Sequence, residues 1–325
     1  MATKVLVTST SFGKVVKEPV ELLNRKGYEI IWNELGRPLK ENEVMERIRE
    51  VDAYIAGLDE ITAKAIETAD NLKVISKYGA GIDNIDIEAA TKKKIVVTNT
   101  PGTNTEAVAD LTFGLMLAVA RKIPQADLST KKGGWKKFFG SAVYGKTLGI
   151  IGMGEIGKAV ARRAKGFNMR IIYWSRRRKN DIEEEVGANY TDLKSLLREA
   201  DFVSLHLALT TDTKHIIGEE EIKLMKSTAF LINTARGPLV DEDALYRCLK
   251  DKVIAGAAVD SYSDEPPKGS PLLALDNIVT TPHMGGYTYE ALRNMGMTSV
   301  QNIIDVLEGR KPKFVVNPEV YESCR

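Results

Sequence analysis

Short runs of β-branched and aliphatic residues alternate along this chain with segments whose apolar residues recur at helical spacing. KVLVTS near the N-terminus precedes a helical segment around Lys17 to Arg25 and then YEIIWN. A polar helical segment from Glu41 to Arg49 leads to AYIAGL, and LKVISKYGAG and KIVVTNTPG follow. A second set opens at TLGIIGMGEIG and continues through MRIIYWS, DFVSLHLAL, TAFLINTARG, VIAGAAVD and NIVTTPHMGG. Alternation of this kind predicts an α/β chain with mainly parallel, buried strands. Between the two sets, Asn104 to Lys122 is apolar around most of its circumference, which predicts a helix buried between domains or subunits. GGWKKFFGSAVYGKT reads as an aromatic-rich arm, and TYEALRNMGMTSVQNIIDVLEGRK as one long helix closed by Gly309. No internal repeat is evident.

A length of 325 residues allows two domains, each with its own core. The 46 basic residues nearly balance the 44 acidic ones, and no basic stripe runs through the chain, so a nucleic-acid surface is not indicated. Cys248 and Cys324 have neither metal-ligand spacing nor the arrangement of a disulfide framework, and no metal is expected. The N-terminus lacks the apolar core of a signal peptide, and no apolar run reaches membrane-spanning length. The chain therefore reads as cytoplasmic, with reduced thiols.

The first chemical signal is Gly152-Met153-Gly154-Glu155-Ile156-Gly157. A strand-like TLGII precedes it, a helical EIGKAVARRAKGF follows, and MRIIYW resumes as a second strand, which is the context that gives the glycine pattern meaning. Gly152 would permit the tight turn, Gly154 the approach of a pyrophosphate, and Gly157 close packing of helix on strand. The second strand of such a unit usually ends in an acid that binds the adenosine ribose. Here it ends in Ser175, followed by Arg176 and Arg177. A carboxylate would repel a 2′-phosphate, whereas a hydroxyl and two guanidinium groups suit one. NADP(H) is therefore favoured, with NAD(H) possible.

Reactive groups follow at the ends of later strands: Arg236 in NTARGPLVDEDAL, Asp260 and Glu265 in AVDSYSDEPP, and His283 in TPHMGG. Carboxyl ends of parallel strands are where ligands bind in open α/β sheets. His283 stands out by its Thr-Pro and Gly-Gly flanks. His206 reads as structural or cofactor-adjacent, and His215 as a loop residue. Reduction of a keto group builds negative charge on its oxygen, which calls for a fixed cation and a proton donor.

Together GMGEIG, NTARGPLVDEDAL, DSYSDEPP, TPHMGG and KYGAGIDNIDIEAATKKKIVVTNTPGTNTEAVAD resemble the D-isomer-specific 2-hydroxyacid dehydrogenase family over nearly the whole chain. That family includes phosphoglycerate dehydrogenases, glyoxylate/hydroxypyruvate reductases and D-lactate dehydrogenases. The resemblance implies that Arg236 holds the substrate carboxylate and polarises the keto oxygen, that His283 exchanges a proton with that oxygen, and that Glu265 stabilises the imidazolium. It implies that Gly79 and Ala80 offer N–H groups to the carboxylate beside Lys77, and that Asp260 approaches the nicotinamide carboxamide. Further cofactor contacts are implied at Thr105, Glu155, Ile156, His206, Thr213, Thr234, Ala235 and Gly285.

The sequence departs from the family pattern at several places. Asn168 stands where glycine is usual, and Ala208 where proline is frequent. Ala56 and Lys77 stand where phosphoglycerate dehydrogenases tend to carry arginine, which weakens the anchors for a phosphorylated substrate. The sequence given also stops short of the regulatory serine-binding domain some members carry.

The expected fold is two doubly wound parallel-sheet domains, a Rossmann nucleotide domain and a flavodoxin-like substrate domain, with a cleft between them. Residues 1–99 and 288–325 would form the substrate domain and residues 100–287 the dinucleotide domain. The expected activity is NAD(P)(H)-dependent reduction of a small 2-keto acid, or the reverse oxidation, of the glyoxylate or hydroxypyruvate type. D-3-phosphoglycerate is the alternative substrate, and a non-catalytic, corepressor-like dinucleotide sensor the alternative of another class. A homodimer is expected, with no nucleic acid and no membrane partner.

Overall fold

The computed structural model describes residues 2–324; Met1, Arg325 and the side chains of residues 323 and 324, the Cys324 thiol with them, lie outside the described part. Contacts divide the chain into two compact units, Met1–Asn104 with Tyr287–Arg325, and Thr105–Gly286.

In the first unit, β1 (Lys4–Val7), β2 (Glu29–Trp32), β3 (Ala53–Ala56), β4 (Val74–Lys77) and β5 (Val96–Thr98) form a parallel sheet of order β2-β1-β3-β4-β5. This is the flavodoxin-like order, which changes direction between β1 and β3. The crossovers carry α1 (Glu18–Arg25), α2 (Glu41–Arg47), α3 (Ala63–Glu67) and α4 (Ile87–Lys92). β3 and β4 are buried at every position because helices cover both faces. Strand alternation sends Ile75 and Val97 into one apolar layer, with Tyr54 and Ile66, and Val74 and Val96 into the other.

The second unit begins with α5 (Thr105–Arg121) and α6 (Ile123–Lys131). Its elements then run β6 (Thr147–Ile151), α7 (Glu155–Gly166), β7 (Arg170–Trp174), α8 (Asn180–Val186), β8 (Asn189–Tyr190), α9 (Leu193–Glu199) and β9 (Phe202–Leu205). They continue with α10 (Glu219–Leu224), β10 (Phe230–Asn233), α11 (Glu242–Lys250), β11 (Gly256–Val259) and β12 (Ile278–Thr280). The sheet has seven parallel strands in the order β12-β11-β10-β9-β6-β7-β8. Its switch point lies between β6 and β9, so the glycine turn after β6 meets the end of β9 there.

α5 uses its wide apolar surface inside this second unit. Phe113, Met116 and Ala120 join the core that holds Leu148, Ile150, Phe230 and Val279. The Phe113 and Phe167 rings stack at 5.1 Å, and Arg163 of α7 reaches Asp110 at 2.7 Å. A left-handed Lys122 (φ 54°) separates α5 from α6, whose residues are all at least partly exposed. Asn168, in the turn before β7, is also left-handed at φ 51°, which explains why this glycine-like position accepts asparagine.

α12 (Tyr289–Leu307) returns to the first unit, where Val300, Ile303 and Ile304 pack against Val5, Ile55 and Val74. The Thr288 hydroxyl caps it by accepting from the Ala291 N–H at 3.1 Å, and Gly309 leaves it at φ 75°. Among the described residues no helix is long and apolar enough to cross a membrane.

Candidate active site

Each glycine of the turn after β6 has a distinct job. Gly152 lies at φ 101°, and a Cβ there would sit 2.6 Å from the His206 carbonyl oxygen at the end of β9. A Cβ on Gly157 would sit 2.2 Å from the Gly152 carbonyl oxygen, so this glycine lets α7 start directly on the turn. A Cβ on Gly154 would meet nothing within 4 Å. Gly154 is the N-cap of α7 with no side-chain cap, and the Glu155 and Ile156 N–H groups have no partner among the described residues. Two tight glycines beside one open one, ahead of unpaired donors at a helix start, fit a dinucleotide pyrophosphate.

At the end of β7 the Ser175 side chain is buried, and its hydroxyl donates to the Arg177 carbonyl at 2.6 Å. That proton is spent inside the turn, so Ser175 shapes the turn rather than offering its hydrogen to a phosphate. Arg178 is bound to Glu183, with Nη2 at 2.7 Å. Arg176 and Arg177 are exposed and carry no ion pair among the described residues. The turn thus presents two uncommitted guanidinium groups and no carboxylate.

Three loops at the carboxyl ends of β10, β11 and β12 carry the candidate residues Arg236, Glu265 and His283. Buried Asn233 closes the first: its side-chain amide donates to the Arg236 carbonyl at 2.8 Å, and its oxygen accepts from the Ala235 N–H at 3.1 Å. Gly237 then runs against the next loop so closely that a Cβ would lie 2.0 Å from the Tyr262 carbonyl carbon. Glu265, on that second loop, holds the His283 Nδ1 at 2.8 Å and accepts from the Tyr262 N–H at 3.1 Å. As the acceptor, the carboxylate makes Nδ1 the donor and leaves Nε2 without a partner among the described residues. Burial pushes the Glu265 carboxyl up, but the hydrogen bond and charge of His283, the Tyr262 N–H and the Arg236 charge outweigh it, so its pKa falls below the ordinary range.

His283 sits at φ 51°, an uncommon backbone state for a non-glycine residue. Asp260 holds its loop in place. One Asp260 oxygen accepts from the Thr281 hydroxyl at 2.6 Å and the Met284 N–H at 2.9 Å, and the other accepts from the Gly285 N–H at 2.8 Å. Asp260 is 1% exposed, and among the described residues its carboxylate bonds only to the loop that carries His283.

The other residues expected to contact the cofactor have the following surroundings. His206 is half-buried, with Nε2 2.8 Å from the Ser204 hydroxyl and a shielded Nδ1 without a partner among the described residues, and desolvation of the ring lowers its pKa to about 3. Thr234 is 2.9 Å from Thr112 of α5 through their hydroxyls, and the Ala235 carbonyl accepts from Arg236 Nη1 at 2.9 Å. Thr213 donates to the Ala208 carbonyl at 2.8 Å, and Thr105 is the half-buried first residue of α5. His215 is an exposed loop residue.

In the first unit, Lys77 is buried and its ammonium donates to the Gly57 carbonyl. The Gly79 N–H, expected as a carboxylate donor, is already given to the Thr100 hydroxyl at 3.0 Å. The Ala80 N–H has no such partner among the described residues, while its carbonyl accepts from Asn99 at 2.8 Å.

Residues 113–285 match the pattern of the D-isomer specific 2-hydroxyacid dehydrogenase NAD binding domain. The chain is 48% identical over 309 residues to a glyoxylate reductase of Thermococcus litoralis, covering 92% of this chain and 93% of the relative. Among solved structures it is similar to the TT0316 protein of Thermus thermophilus, at TM-score 0.88 and 39% identity, with 97% and 100% of the two chains covered. It is also similar to an acyclic imino acid reductase in complex with NADPH and D-Arg, at TM-score 0.83 and 33% identity over 96% and 99% of the chains. Site geometry, sheet order and these similarities agree, and the chain belongs to the D-isomer specific 2-hydroxyacid dehydrogenase family.

Proposed function

We propose that the chain reduces a small, unphosphorylated 2-keto acid of the glyoxylate or hydroxypyruvate type to the D-2-hydroxy acid, with NADPH preferred over NADH. The observation that carries this reading is the Glu265–His283 pair, 2.8 Å apart, on strand ends that also present Arg236. When bound, the reduced nicotinamide supplies the hydride. Arg236 fixes the substrate carboxylate and draws charge onto the keto oxygen. His283 gives the proton on Nε2 to that oxygen, and Glu265 steadies the imidazolium and its orientation. In the oxidative direction His283 takes the proton back.

Similarity to a glyoxylate reductase supports the substrate class, and so do Ala56 and Lys77. Ala56 is wholly buried and Lys77 is turned onto the Gly57 carbonyl, so neither presents the forked donor that a substrate phosphate calls for. Ala80 is the proposed carboxylate donor of the first unit. That unit is read as the substrate domain, the second as the dinucleotide domain, and the molecule as a cytoplasmic homodimer. The cofactor preference rests on Arg176 and Arg177, which stand exposed with no carboxylate to hold them or to repel a 2′-phosphate.

The test is loss of reduced-nicotinamide absorbance with NADPH and NADH against glyoxylate, hydroxypyruvate and 3-phosphohydroxypyruvate. The expected result is highest kcat/KM with NADPH and an unphosphorylated acid. Replacing Arg176 and Arg177 by alanine should raise KM for NADPH on the order of tenfold or more and leave KM for NADH within about twofold. Preference for NADH and the phosphorylated acid would overturn both assignments. Tight cofactor binding without turnover of any keto acid would point to a sensor instead.

A further inference from the structure

Tyr262 stands where the loops of the three reactive residues meet. Its ring is buried in the core with Leu239, Val259 and Leu272, a role that a phenylalanine could fill. Its polar groups are placed otherwise. The backbone N–H donates to Glu265 Oε1 at 3.1 Å, and the phenol donates to the Thr281 carbonyl at 3.0 Å. That same carbonyl accepts the His283 N–H at 3.1 Å across Pro282. One residue thus grips the carboxylate with its backbone and, with its side chain, the turn that sets the imidazole. On its other side the Tyr262 carbonyl carbon abuts the Arg236 turn at Gly237. The next residue, Ser263, is itself fixed by donating to Glu242 of α11 at 2.6 Å.

We propose that Tyr262 is a positioning residue that locks the Glu265–His283 pair in register through its hydroxyl. The reasoning is geometric. His283 occupies a left-handed backbone state that costs energy for a non-glycine residue and persists only where its surroundings determine it. Asp260 fixes that turn through the Thr281 hydroxyl and the Met284 and Gly285 N–H groups, and the Tyr262 phenol adds a bond to the Thr281 carbonyl, the group that also accepts the His283 N–H. Without the phenol, Asp260 still ties the two loops together, but the Thr281 carbonyl that receives the His283 N–H loses its bond to the residue whose backbone holds Glu265. Their mutual angle then loosens while the apolar packing stays intact. This inference rests on the acid–base role proposed for the pair.

The experiment compares full-length Tyr262→Phe with the parent in glyoxylate reduction, alone and in a Glu265→Gln background. The expected result is kcat lower on the order of tenfold with KM for glyoxylate and cofactor within about twofold, because positioning rather than binding is disturbed. On the Glu265→Gln background the same substitution should change kcat by less than about twofold, since the partner it positions is already altered. A second readout needs no turnover. The chain has three histidines, and in the cofactor-free protein only the His283 ring proton resonance should shift in Tyr262→Phe. Unchanged kcat together with an unmoved His283 resonance would overturn the proposal. An equal loss on both backgrounds would overturn it too, as the mark of a packing defect. If the parent protein reduces no keto acid, the acid–base reading falls, and the resonance still reports whether the phenol holds the turn.

Discussion

At the scale of single residues, the groups proposed as reactive were legible because chemistry restricts them. Arg236 and His283 stand at strand ends in the sequence and Glu265 five residues beyond the strand end at Asp260, and the structure draws Glu265 and His283 to 2.8 Å. Their supports were not legible. Tyr262 and Thr281 act through contacts between distant segments, Asn233 through the way its own turn closes, and as types they look like ordinary strand-end polar or core residues. Ser175 was legible only by position, because where its proton goes depends on how the turn closes. His206 yields a prediction at this scale. Burial lowers its pKa to about 3 from an ordinary 6.5, so folding favours the neutral ring. A depressed folded pKa means that the contribution is complete above the unfolded pKa and drains away as pH falls towards the folded value. The stability at stake is at most about 5 kcal/mol, lost between about pH 6.5 and 3. Denaturant titrations at stepped pH should show a shallower acid decline for His206→Gln than for the parent across that window. Parallel slopes would mean that the ring is accessible to protons in the folded state. Glu265, whose pKa is also depressed, adds a loss that begins only as pH falls through the carboxylate range.

At the scale of elements, hydrophobic period carried most of the fold. The strand and helix ends sit within a few residues of the expected ones, as with Thr105–Arg121 for the apolar helix and Tyr289–Leu307 for the terminal one. α6 was missed because Ile123 and Leu128 give it no buried face, and period is readable only where a helix has one. The two-residue β8 is too short for any period to show. The glycine turn makes the element-scale prediction. Gly152→Ala forces a side chain into φ 101° and against the His206 carbonyl, so the strand–turn–helix unit must shift. Thermal melting should show a loss of several degrees, from a cost of roughly 2 kcal/mol or more. Gly154→Ala meets nothing within 4 Å, so its melting temperature should stay close to that of the parent. Cofactor affinity should nevertheless fall in Gly154→Ala, because the added methyl stands where the pyrophosphate is expected to approach. Equal melting losses in both variants would contradict the division of labour among these glycines.

At the scale of the whole molecule, two parallel sheets account for the buried apolar residues, but not for the stretch between α6 and β6. Trp135 is 87% exposed and Phe139 90%, with Tyr144, Ile123 and Leu128 also open to solvent. The arm is tethered where it returns to the end of α5, through the Ser141 N–H and the Ala120 carbonyl at 2.8 Å, so its aromatics are displayed from an ordered stretch. Large rings held out of the core cost solvation without stabilising the monomer, and exposed apolar groups gathered along one segment mark an association surface. A second copy of the chain is the economical partner, because a two-fold axis lets each arm cover its counterpart. Sedimentation velocity should therefore find the parent protein dimeric. Trp135→Ser combined with Phe139→Ser should shift it towards monomer while leaving the far-UV circular dichroism unchanged, since side chains this exposed hold up no part of the monomer. If the parent sediments as a monomer at every concentration, or the double variant stays dimeric, the arm is not what joins the subunits. Melting gives an independent check of the same idea. A dimer held by the arm should melt at higher temperature as protein concentration rises, and the double variant should lose that dependence.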